Sequence, residues 1–90
     1  MDFEFDPAKS ATNKQKHGID FVEAQSLWLD PYAIEFPARD VDEARMMVIG
    51  RIAGKHWSAI VVYREGRTRI ISMRRSREQE VDLYESQGPG

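Results

Sequence analysis

Two clusters of side chains hold the chemistry in this sequence: Lys9, Lys16 and His17 near the N-terminus, and Tyr63 with Arg64, Arg67, Arg69, Arg74 and Arg75 further on. An imidazole titrates near neutral pH and can take or give a proton. Phenol, ammonium and guanidinium groups donate hydrogen bonds to anionic oxygens. Together they are the parts that metal-independent cleavage of an RNA phosphodiester requires. That reaction needs a base for the 2′-hydroxyl proton, a proton donor for the leaving 5′-oxygen, and cations around the pentavalent phosphate. His17, Tyr63, Arg64, Arg69 and Arg74 are the candidates for catalysis. Lys9, Lys16, Arg51 and Arg75 are the candidates for holding RNA. Arg64, Arg69 and Arg74 rank first, because fixing an arginine in a sheet is costly unless an acid or a phosphate pairs with it.

Each candidate also has a purely structural role open to it. His17 suits the last turn of a helix, where positive charge complements the dipole. Tyr63 follows Val61 and Val62 and suits a core aromatic with its hydroxyl at the edge. His56, beside a turn, reads as an exposed strand residue. Trp28 and Trp57 read as core rather than as stacking platforms.

Charge distribution points the same way as the candidates. Net charge is only −2, yet residues 51–77 carry eight bases (Arg51, Lys55, Arg64, Arg67, Arg69, Arg74, Arg75, Arg77) against one acid, Glu65. The remainder is acidic. A basic segment in a chain near neutrality suits one surface for an anionic ligand, or a set of strands with solvated arginine ends. The chain contains no cysteine, which excludes disulfides, a thiolate nucleophile and thiolate metal sites. No cluster of acids or histidines suits a two-metal nuclease, so neither metal nor cofactor is expected. The acidic N-terminus lacks the pattern of a signal peptide, and no stretch is long and apolar enough for a membrane span, so a cytoplasmic location is expected.

The elements that must position these residues follow from periodicity. Ninety residues with 41% apolar content make one domain, expected over 1–87 with 88–90 as a frayed tail. Phe3 and Phe5 alternate with acids, the mark of a short strand. Asp6-Pro7 then starts a helix running to about Lys16 and closed by Gly18. Asp20 and Glu23 form a capping-box pair for a second helix with Phe21, Ala24, Leu27 and Trp28 on one face, ending before Asp30-Pro31. A strand over Tyr32–Phe36 and a loop over Ala38–Glu43 follow. Arg45–Ala53, Trp57–Arg64 and Thr68–Arg75 are rich in β-formers and separated by turns at Gly54-Lys55 and Glu65-Gly66, which predicts an antiparallel meander. Strict alternation in the last strand sets Arg69, Ile71, Met73 and Arg75 against Thr68, Ile70, Ser72 and Arg74. Ser76 opens a short C-terminal helix, with Gln79 at capping-box spacing and only Val81, Leu83 and Tyr84 to pack. The fold class is α+β.

The order of residues resembles a known family. Phe3-x-Phe5-Asp6-Pro7-x-Lys9, Asn13-x-x-Lys16-His17-Gly18 and Phe21-x-Glu23-Ala24 are similar to the opening of the BrnT toxins. Arg45, Gly50, Val61-Val62-Tyr63, Arg69-Ile70-Ile71-Ser72-x-Arg74-Arg75, Glu78 and Tyr84 are similar to their C-terminal part. The blocks are specific in combination and weak singly. Phe5 stands where many relatives have Trp, and Met73 where a small residue is common; both keep an apolar group. The resemblance implies a RelE-like fold with a mostly antiparallel sheet, and a metal-independent endoribonuclease that stops translation. It also implies a BrnA-type antitoxin with a ribbon-helix-helix part, the complex rather than the toxin alone binding operator DNA. Two other functions share the basic segment: a non-catalytic nucleic-acid-binding module, and an interaction protein whose arginines meet an acidic partner.

Overall fold

A computed structural model describes residues 1–38 and 44–87. Most of the expected loop after Ala38 and the expected tail 88–90 lie outside the described residues. Five strands form one sheet in the order β1-β5-β4-β3-β2: β1 (Asp2–Glu4), β2 (Ile34–Ala38), β3 (Arg45–Ile52), β4 (Lys55–Arg64) and β5 (Arg67–Arg75). All pairings are antiparallel except β1 with β5. Helix α1 (Pro7–His17) and a 3₁₀ helix (Glu23–Leu29) follow β1, and α2 (Glu78–Gln87) follows β5.

Local signals account for most boundaries. Asp6 has extended backbone and its carboxylate accepts the Ala8 N–H at 2.8 Å, while Pro7 fills the first helical position. Gly18, at φ 81, closes α1 by donating its N–H to the Lys14 carbonyl. The second helix is 3₁₀ rather than α. Its reason is visible in Phe21, Ala24 and Leu27, buried at intervals of three, the period at which 3₁₀ side chains eclipse. The turn before β4 is Ala53-Gly54, not Gly54-Lys55. Both residues take positive φ, 50° and 80°, and Glu65-Gly66 does the same at 52° and 76°. Such two-residue turns match the twist of the strands they join.

One irregularity decides which arginines share a face. Ile60 pairs with Ser72 but Val61 pairs with Ile70, so Ile71 is an extra residue in β5. A bulge of this kind resets the alternation. Strict alternation along β5 therefore fails: Ile70 and Met73 point to the same side, into the core with Trp57, Ala59, Val61 and Val48. α1 and the 3₁₀ helix cover that side through Ile19, Phe21, Ala24 and Leu27. Arg69 and Arg74, expected on opposite faces, lie together on the other side. There α2 packs, anchored by Tyr84, which is 1% exposed.

The start of α2 also differs from expectation. Glu80, not Gln79, makes the capping contact: its carboxylate accepts the Arg77 N–H at 2.9 Å. Ser76 instead turns inward and hydrogen-bonds the Ser58 hydroxyl at 2.8 Å.

Candidate functional site

Helix α1 has no large apolar residue, so polar groups seat it. The buried Ser10 hydroxyl accepts the Phe21 N–H at 2.9 Å. Buried Asn13 donates to the Ile19 carbonyl at 2.8 Å and accepts the Met73 N–H at 3.3 Å. One side chain thus ties α1 to the segment after Gly18 and to the β5 edge just past the bulge. β1 pairs with β5 only as far as Arg69, so among the described residues no strand covers Ile71 and Ser72 on that side. An open groove results between α1 and β5, lined by Lys9, Thr12, Asn13, Lys16, His17 and Phe21 on one wall and Ile71 and Ser72 on the other. Helical spacing explains the first wall, since positions 9, 12, 13, 16 and 17 fall on one stripe.

Three of the candidate residues, Lys9, Lys16 and His17, therefore meet in one place. All three are exposed, and none has an acid partner among the described residues. The described residues lining the groove include no carboxylate. Ser10 and Thr12 were not singled out from the sequence, and Asn13 entered only as part of the family-like block before Lys16-His17-Gly18. The available signal was the missing apolar stripe of this helix, which requires a polar anchor.

The arginines do not form the single cleft that the charge pattern suggested. Arg74 makes two parallel bonds to Glu80, at 2.8 Å each, and Glu80 also accepts the Ser58 hydroxyl at 2.9 Å. Arg69 lies 3.7 Å from Glu4, its register neighbour on β1. Tyr63 and Arg64 sit at the hairpin end with Arg67. Arg51 lies at the far end of β3, its N–H donating to Asp30 at 2.8 Å. Arg75 lies over the Trp57 ring, on the α1 side of the sheet.

Tyr63 is exposed rather than a core residue, and burial of its hydroxyl together with donation to Glu35 pushes its pKa up to about 12. A phenol so held is a hydrogen-bond donor and a poor proton source near neutrality. His56 is not an exposed strand residue. It is half-buried, bonded to Glu85 of α2 at 2.8 Å and packed edge-on against Tyr84 at 5.2 Å. Asp30 gathers the Tyr84 hydroxyl at 2.7 Å and the N–H groups of Tyr32 and Arg51. Burial pushes the Asp30 carboxyl up, but these donors outweigh it and hold it below the ordinary carboxylate range.

Arg74 is thus part of the clamp that docks α2. The guanidinium bond, opposed by burial and aided by the Arg77 N–H and the Ser58 hydroxyl, holds Glu80 down from 4.5 to about 2. A carboxylate with a depressed native pKa contributes stability above its unfolded value, and loses it as pH falls toward the native one. Arg74→Ala should cost roughly 2 kcal/mol at neutral pH, the scale of a hydrogen-bonded charged group losing its partner. The difference between wild type and Arg74→Ala, read as melting temperature, should shrink as pH falls from 4.5 to 2. A difference independent of pH over that range would show that the ion pair is not its source.

The sequence itself supports an assignment. Residues 5–80 match the family model for BrnT, the ribonuclease toxin of a type II toxin–antitoxin system. No curated protein matches the chain. Among the described residues no helix is long and apolar enough to cross a membrane. The matched span includes α1, the groove, the whole meander and the Arg74–Glu80 clamp. An RNA substrate and an antitoxin partner follow from the match in general terms. The chain belongs to the BrnT family of ribonuclease toxins.

Proposed function

We propose that this toxin cleaves RNA in the groove between α1 and β5, by attack of a 2′-hydroxyl on the adjacent phosphate and without a metal ion. The observation that carries this reading is the convergence of Lys9, Lys16 and His17 on one groove. Two lysines give the groove the positive charge that a phosphate needs, and the histidine adds an imidazole, a group able to take and return a proton. In this reading His17 takes the 2′-hydroxyl proton as the oxygen attacks phosphorus. The bond to the 5′-oxygen breaks, and the imidazolium returns the proton to that oxygen. Lys9 and Lys16 hold the pentavalent phosphate between them. Tyr63, Arg64, Arg69, Arg74 and Arg51 lie outside the groove and take no part in that step.

The wider reading includes a RelE-like fold and arrest of translation in the cytoplasm. The partner would be a BrnA-type antitoxin whose ribbon-helix-helix part brings the complex to operator DNA.

A synthetic RNA incubated with the toxin in excess EDTA should yield fragments with 2′,3′-cyclic phosphate and 5′-hydroxyl ends. A single 2′-deoxy substitution at the cleaved position should abolish that cut. Cleavage that persists at the deoxy position, or that EDTA abolishes, overturns the mechanism. Salt-dependent binding with the RNA left intact would favour a non-catalytic module.

A further inference from the structure

Arg75 differs from Arg69 and Arg74 in what holds it. It pairs with Trp57 across β4 and β5, and its guanidinium carbon lies 5.6 Å from the centre of the indole ring. Its Nε donates to the His56 carbonyl at 3.2 Å, the same carbonyl that accepts the Ser76 N–H at 3.0 Å. An aromatic face and a carbonyl thus fix the guanidinium from beneath and from one side. Among the described residues no acid pairs with it, and the residue is exposed while Trp57 beneath it is only 8% exposed. The indole is covered and the guanidinium is exposed, so the cation is the part of this pair that meets solvent. Arg69 and Arg74, by contrast, lie against Glu4 and Glu80.

Its position relates it to the groove. The bulge at Ile71 places Arg75 on the α1 side of the sheet, three residues along β5 from the groove wall at Ser72, or roughly 10 Å at strand rise. Arg75 is therefore the next exposed cation along β5 beyond the groove wall.

We propose that Arg75, backed by Trp57, is a stacking platform for one unpaired nucleobase of the RNA, beside the position that is cut. The inference rests on the reading of the groove as the cleavage site. Stacking on a guanidinium plane tolerates any base, because every base has a π-face, but it requires that base to be unstacked from its neighbours. The platform therefore selects single-stranded RNA over duplex without reading sequence.

The test uses a single-stranded RNA oligonucleotide carrying 2′-deoxy at the cut site, and a set of copies each lacking one base. On unaltered toxin, removing one particular base near the cut should weaken binding about tenfold, and removing the others should have little effect. Arg75→Lys keeps the charge and loses the plane. It should bind the intact oligonucleotide about tenfold more weakly, with the same salt dependence, and should no longer respond to the missing base. Arg75→Ala should in addition lower the salt slope by about one. A uniform response to base removal on the unaltered toxin overturns the platform, and that measurement needs no variant to fold. Wild-type affinity and base sensitivity in Arg75→Lys overturn it equally. A toxin that cleaves normal RNA but fails these tests loses the platform alone, whereas one that neither binds nor cleaves RNA takes the groove reading down with it.

Discussion

His17→Gln should slow RNA cleavage by about 10²–10⁴-fold, the usual contribution of a positioned acid–base group, while RNA still binds. Glutamine is close in size and keeps hydrogen-bonding capacity, but it does not titrate. The residue lies exposed in the last turn of α1, so stability should change by no more than about 1 kcal/mol. Single-turnover cleavage of a labelled oligonucleotide, with binding measured separately, separates the chemical step from affinity. If His17→Gln cleaves as fast as wild type, His17 only ends the helix and the proton transfer belongs to another group.

Phe21→Ala should be the most damaging single core change, at about 3–5 kcal/mol. Phe21 is 1% exposed, packs edge-on against Phe5 at 5.9 Å, and gives its N–H to Ser10 of α1. It also lines the groove. Truncation opens a cavity beneath the helix that carries Lys9, Lys16 and His17, so cleavage should fall with stability. For a domain this small such a loss removes a large share of the total, and denaturant unfolding reads it directly. Phe21→Leu, which keeps most of the volume, should cost about 1–1.5 kcal/mol and leave cleavage measurable. An alanine variant within 1 kcal/mol of wild type would mean that this segment is not what seats α1 on the sheet.

The two variants probe parts of the molecule that were not equally legible in the sequence. Local signals were readable where backbone chemistry is local. Asp6-Pro7 and Gly18 bound α1 through a side-chain cap, a fixed φ and a left-handed residue, each within a few positions of its effect. Asp20 and Glu23 exchange their capping bonds as their spacing suggests, the Asp20 carboxylate accepting the Glu23 N–H at 2.7 Å and Glu23 accepting the Asp20 N–H at 3.0 Å. Runs of β-formers between short turns marked β3, β4 and β5 for the same reason. The 3₁₀ geometry of the second helix was less visible, because Phe21, Ala24 and Leu27 fit both helical periods and Trp28 fits the α period.

Residue types and spacing alone determined that this chain carries an imidazole directly after a lysine at the end of one helix and a basic meander after it. Order and identity together also sufficed to place it among the BrnT toxins. Only the tertiary structure decided which of those charges are available. Arg74 and Arg69 looked like phosphate ligands because nothing near them in sequence declares that Glu80 and Glu4 lie opposite. Ion pairs across strands and helices depend on register, which a one-residue bulge at Ile71 changes for everything beyond it. That same extra residue puts Arg75 on the α1 side, over Trp57. The groove exists because β1 stops at Glu4 and because Asn13, sixty positions from Met73, reaches the edge strand that β1 leaves uncovered. Contacts of that separation carry no local signature, and this is why the lysines and the histidine of one helical stripe could be named in advance but the β5 wall that they face could not.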